Sequence, residues 1–150
     1  MTIATRTLAL AIAAAVLGAA APAHAQSAEA ESTINGATVH VSAVPTTQLP
    51  ESVARGYGIE RGPKRILLLV NLRDLGTGPA PSITATVTDL QDHVTPLALR
   101  EVHVAQSGSP TIDYIGTVDV TLPDTLRFTV VAKRGGSTAT VQLSRDFYPG

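Results

Sequence analysis

From Ala37 onward the chain alternates apolar and polar side chains at period two, in short runs punctuated by Gly, Pro, Asp and Ser, the pattern of half-buried strands joined by tight turns. Val39, Val41 and Ala43 fall on one face of the first run, Thr38, His40 and Ser42 on the other, and Pro45 ends it. The run Ile66-Leu67-Leu68-Leu69-Val70 does not alternate. It is too short for a typical helix, so it predicts a central strand covered on both faces.

Alternation resumes over residues 83–90, continues after a turn at 89–93 as one strand over 94–104, and returns over 112–120 beyond a turn at 107–110. Pro96 confines the start of the 94–104 strand to an edge or bulge. Residues 126–132 and 139–147 form the clearest hairpin, turning through Gly135-Gly136. About seven strands in one domain predict an all-β, immunoglobulin-like antiparallel β-sandwich, without the Cys pair and Trp of antibody domains. One segment departs from this. Residues 50–56, with Glu51 early and Gly56 and Gly58 late, predict a short helix whose Leu49, Val53 and Tyr57 share a face and which closes an open end of the sandwich.

The first twenty-five residues read differently. Arg6, an apolar run over 8–21, and Ala23-His24-Ala25 have the three parts of a secretory signal peptide cut before Gln26. Residues 26–36, small and polar, are expected to be a flexible leader, and 37–150 the sandwich domain. No twin-Arg pair precedes the apolar run, no cysteine is available to carry a lipid, and no other stretch is long enough to span a membrane. The expected product is a free periplasmic protein, without stable membrane insertion after cleavage.

Composition then narrows the work such a domain does. The mature chain keeps ten Lys and Arg against twelve Asp and Glu, a balance with no pull toward nucleic acid. The absence of cysteine removes disulfides, thiolate metal sites and cysteine nucleophiles, and five aromatics without Trp offer no stacking platform. His40, His93 and His103 show no metal-ligand spacing on one element. Asp113 and Asp119 share a strand face, but six residues is about 20 Å along a strand, too far for a paired-carboxylate mechanism. No Gly-x-Ser-x-Gly elbow or phosphate loop is present. The reading is therefore a non-enzyme with no cofactor and no metal.

The block from Val53 through Tyr57-Gly58-Ile59-Glu60-Arg61, the strand at 66–71, Leu99-Arg100-Glu101-Val102, and the closing Phe147-Tyr148 resemble a small exported gamma-proteobacterial family, domain of unknown function 4426. The resemblance covers about residues 39–148 and implies export and fold, with no activity or catalytic residue to carry over. Family members tend to have longer charged tracts in the central loops, whereas residues 76–81 here are rich in Gly and Pro.

The remaining candidate is a contact patch, Tyr57, Arg61, Lys64 and Arg65, with Arg55 beside it and Glu60 diluting it. Tyr57 would anchor and the arginines would fork an envelope protein partner; a solvated loop paired with neighbouring acids is the simpler account. Two further readings compete with a binding or accessory module: a small-ligand carrier or hydrolase with its site between the sheets, and a donor-strand partner, which Pro96 would blunt. The signal reading is checked by intact mass. Chain recovered from the periplasm should begin at Gln26; chain retaining residues 1–25 in the membrane fraction would contradict it.

Overall fold

The computed structural model describes residues 29–104 and 111–150; the expected signal peptide, the first three leader residues and the turn at 107–110 lie outside them. Two antiparallel sheets form a sandwich. The first has the order β1 (Glu29–Ile34), β2 (Ala37–Pro45), β3 (Arg65–Arg73), β7 (Thr111–Asp119), β6 (Arg100–Val104); the second has β5 (Val94–Leu97), β4 (Ser82–Thr88), β8 (Asp124–Arg134), β9 (Ser137–Phe147). A 3-10 turn at Thr46–Gln48 and a helix α1 (Glu51–Tyr57) separate β2 from β3.

The all-β sandwich with one short helix is as the periodicity predicts, and three features differ from the expectation. First, part of the expected leader is a strand. Glu29–Ile34 pairs with β2 from Glu29↔Ser42 to Ile34↔Ala37, closed by Asn35 and Gly36 at φ 45 and 82. Asn-Gly with both φ positive is the favoured two-residue hairpin turn, and it outweighs the polarity of the segment.

Second, the expected strand over 94–104 is two strands in different sheets, broken at Ala98 and Leu99, which brings the described strands to nine. β5 is an edge strand carrying Pro96, as its proline requires. The break passes over Gly116, where an added Cβ would lie 2.7 Å from the Ala98 carbonyl oxygen and 3.0 Å from Leu99 Cδ2. A side chain at 116 would push the crossover away.

Third, α1 buries a different residue in a different place. Val53 is 39% exposed while Ala54 is 2% exposed, and Tyr57 at the helix end reaches Asp113 on the outer face of the first sheet, away from the end of the sandwich. Gly58 caps it at φ 65, its N–H directed at the carbonyls of Ala54 and Arg55, the left-handed cap that favours glycine.

The core lies between the sheets. Val39 and Val41 of β2, Ile66, Leu68, Val70 and Leu72 of β3, and Leu126, Phe128 and Val130 of β8 are all buried there. Leu67 and Ile115 are 4% exposed yet belong to the opposite face. β3 is thus covered on both faces, as its unbroken apolar run predicts, fully at its inner positions and at Leu67 and partly at Leu69 and Asn71.

At one end of the sandwich the buried Arg134 joins three segments. Its guanidinium donates to the carbonyls of Pro79 (2.8 Å), Asn35 (3.0 Å) and Leu75, while Asn35 Nδ2 donates to the Arg134 carbonyl at 2.9 Å. The backbone dipoles of the β1–β2 turn and the 75–79 loop replace the water this cation gave up. Arg134→Met leaves those carbonyls without donors and should lower unfolding free energy by about 3 kcal/mol, read as a fall in the denaturant midpoint at unchanged slope. A loss under about 1 kcal/mol would show that the network adds little beyond packing.

Candidate functional site

The outer face of the first sheet carries a hydrogen-bonded chain that begins at the end of α1. The Tyr57 hydroxyl donates to Asp113 Oδ2 at 2.8 Å, and Asn71 Nδ2 donates to Asp113 Oδ1 at 2.5 Å. Asp113 is 4% exposed, so both of its oxygens are satisfied by neighbours as burial demands. Asn71 and Asp113 face each other across β3 and β7, and the helix sets the phenol above them. Burial, then the hydrogen bond to and the charge of Asp113, push the Tyr57 hydroxyl up to about 12.

The loop from Gly58 to Lys64 is fastened to the sandwich at several points. The buried Thr46 hydroxyl donates to the Gly62 carbonyl at 3.1 Å and accepts from the Gly62 N–H at 3.0 Å. Arg61 donates to the Thr46 and Thr47 carbonyls at 3.3 and 2.7 Å. Arg65 forks Asp119 at 2.8 and 3.2 Å and reaches Glu60 at 2.9 Å. The Arg65 guanidinium accordingly holds Asp119 below its ordinary carboxylate range, and the carboxylates raise Arg65 further above its own. Val120 N–H closes the loop onto the Lys64 carbonyl at 2.9 Å.

The structure therefore gathers Tyr57, Arg61, Lys64 and Arg65 around one outer surface but gives them different work. Tyr57 is half-buried and turned to Asp113; Arg61 and Arg65 hold the loop; Lys64 is exposed, its ammonium without a side-chain partner among the described residues. Arg55, beside them, pairs with Glu51 one turn away at 2.6 Å. Arg100 joins the group by donating to the Tyr57 carbonyl. Forty-three residues separate the two, and nothing in the spacing of either segment marks the contact. A cleft of about 500 Å³ lies between residues 60–65 and 119–121. A second, of about 430 Å³, lies between Gly58, Arg65, Arg100 and the floor of Ile115 and Thr117.

The other candidates are dispersed. His40 meets Glu29 and Glu31, His93 meets Asp89, and His103 meets Glu101 at 2.6 Å; among the described residues no three His, Asp or Glu are placed to hold a metal. Asp89 is committed to its own turn, accepting from the N–H groups of Gln91 and His93 at 2.9 Å each, which lowers its pKa. Asp113 and Asp119 serve separate partners, Tyr57 and Arg65.

The Tyr57–Asp113 hydrogen bond has a pH signature. A phenol whose folded pKa of about 12 exceeds the ordinary 10.0 stabilises the fold fully below pH 10, and that contribution is lost as pH rises from 10 toward 12. Burial and Glu101 raise the Tyr114 phenol as well, so the test is the loss of one tyrosine's amplitude from the phenolate absorbance toward pH 12 in Tyr57→Phe. Titration unchanged by the substitution would contradict the Tyr57–Asp113 bond.

Comparison with known proteins bears on the whole described domain. A search of the curated proteins finds no match. Among solved structures, a DUF4426 family protein from Pseudomonas aeruginosa PAO1 is similar with a TM-score of 0.61 at 22% identity, covering 82% of this chain and 97% of that one; at this identity the likeness is one of fold. The family model for DUF4426, a domain of unknown function, matches residues 31–150, extending the span of resemblance at both ends and starting within β1. The chain belongs to the DUF4426 family.

Proposed function

We propose that this protein is an exported, non-catalytic binding module of the cell envelope, cut after Ala25 and free in the periplasm, that engages a protein partner through the surface built by residues 57–65 and Arg100. The observation that carries the reading is the fastening of that loop. Five contacts fix it to the 3-10 turn, the end of β7 and the residue after it, so its surface is formed before any partner arrives and binding costs little ordering. A loop held on a rigid sandwich is a common site of recognition.

Charge supports a partner bearing carboxylates. Arg55, Arg61, Lys64, Arg65 and Arg100 outnumber Glu51, Glu60 and Asp119 around this surface, which favours encounter with an acidic face. The strand order supports a binding module as well. With β1 set aside, β2-β3-β7-β6 facing β5-β4-β8-β9 follows the A-B-E-D and C′-C-F-G order of immunoglobulin-like sandwiches. Among the described residues each histidine ring meets a carboxylate, and none meets a serine or threonine hydroxyl, so no histidine among them is placed to activate a nucleophile.

The alternative, a carrier or hydrolase working between the sheets, meets a filled interior. Phe128, Leu68 and their neighbours fill the inter-sheet space, which among the described residues opens as a cleft of about 420 Å³ between the β4–β5 turn and residues 118–124 and one of about 330 Å³ beside Ile66, Leu122 and Phe147. A photocrosslinker at Lys64, with a second at the exposed Thr84 on the opposite sheet as control, tests the binding reading in intact cells. A discrete protein adduct from Lys64 and none from Thr84 is expected. No adduct from Lys64, or the same smear from both, would overturn it.

A further inference from the structure

The sheet switch between β5 and β6 leaves part of β7 without a neighbour. β6 pairs with β7 only as far as Arg100↔Ile115, and the chain preceding Arg100 has left for the other sheet. Beyond Ile115, β7 is paired on one side alone, to β3, through Leu67↔Thr117 and Arg65↔Asp119. Successive residues of an antiparallel strand direct their backbone groups to alternate sides. Val120 N–H points to β3, donating to Lys64, so by alternation Thr117 and Asp119 aim their N–H and C=O groups away from β3, into the lane β6 does not reach. Both residues are exposed.

Clefts flank this bare edge on both faces. On the core side, the one of about 420 Å³ is bounded by Val118, Thr95, Asp89, His93 and Asp124. On the outer side, the one of about 430 Å³ is bounded by Ile115, Thr117, Glu60, Arg65 and Arg100. Their chemistry differs: the inner lining holds carboxylates and no Lys or Arg, whereas two guanidiniums flank the outer one. A strand laid beside β7 sends successive side chains to opposite faces, about 3.4 Å apart along the chain. Its residues would enter the two clefts in turn.

We propose that β7 from Thr117 to Asp119 is the docking edge for an extended segment of the partner protein, added as a strand with a basic side chain in the inner cleft and an acidic one in the outer. Backbone bonds to Thr117 and Asp119 would supply attachment, and the two clefts would select the side chains. This rests on the reading of the chain as a binding module and names the kind of segment it binds.

The probe is a blocked octapeptide of alternating lysine and glutamate, titrated into the isotope-labelled mature chain. A second probe of the same sequence, N-methylated throughout, lacks the backbone donors. The Thr117 and Asp119 amide resonances should shift with the first probe, and their hydrogen exchange should slow by about tenfold; the N-methylated probe should do neither. Arg100→Glu, which reverses a charge at the outer cleft, should weaken binding about fivefold. Silence at both amides, or an equal response to the two probes, overturns the proposal. If Lys64 still yields a protein adduct while these amides stay silent, the edge is wrong and the module stands; if both are silent, both fall.

Discussion

β3 must be buried on both faces, and most of the architecture follows from that. Its inner residues Ile66, Leu68, Val70 and Leu72 meet the second sheet, while Leu67 points the other way and is still 4% exposed. Each such side chain stabilises the fold by about 1.5–3 kcal/mol when taken out of water, and the chain has no disulfide to substitute for that burial. A cover over the outer face is therefore obligatory. Tyr57 at the end of α1, bonded to Asp113, and the loop after it supply the cover.

That requirement explains why the loop is so heavily fastened. A cover on a sheet must satisfy the polar groups it encloses, and here Asp113 takes hydrogen bonds from Tyr57 and Asn71 while Thr46 saturates both backbone groups of Gly62. Arg61 and Arg65 spend their donors in the same task. The cations that look free along the sequence are structural first, and what they leave outward is a fixed rim of Lys64 and Arg100. Arg134 solves the equivalent problem at the β1–β2 turn with backbone carbonyls as its only partners among those described.

The strands were legible where one face is wet. Alternation in β2, β4, β7, β8 and β9 places Val39, Ala85, Phe128 and Val141 inward as observed, and the unbroken run in β3 announces two buried faces. Two features escape the hydrophobic pattern: Asn35-Gly36 marks the first hairpin in a segment whose polarity suggests a leader, and Gly116 is required by a crossover that no pattern within 94–104 reveals. The spacing of Leu49, Val53 and Tyr57 describes a helix face without saying what lies beneath it. Ala54 is the residue the helix buries, and Val53 is exposed. As for the site, the residue types of the basic loop were visible, but their partners Thr46, Asp113 and Asp119 lie 15 to 56 residues away and depend on register alone.

Surface and scaffold are thus the same object, a cover whose outward rim and flanking clefts exist because β3 needs it. If so, the 54–65 segment is as permanent as the sheet beneath. Amide hydrogen exchange of the mature chain measures this directly. The account predicts that the amides of Ile59, Gly62 and Arg65, bonded to Ala54, Thr46 and Gly62, exchange in the slow class together with those of β3; exchange at free-loop rates while β3 stays protected would contradict it.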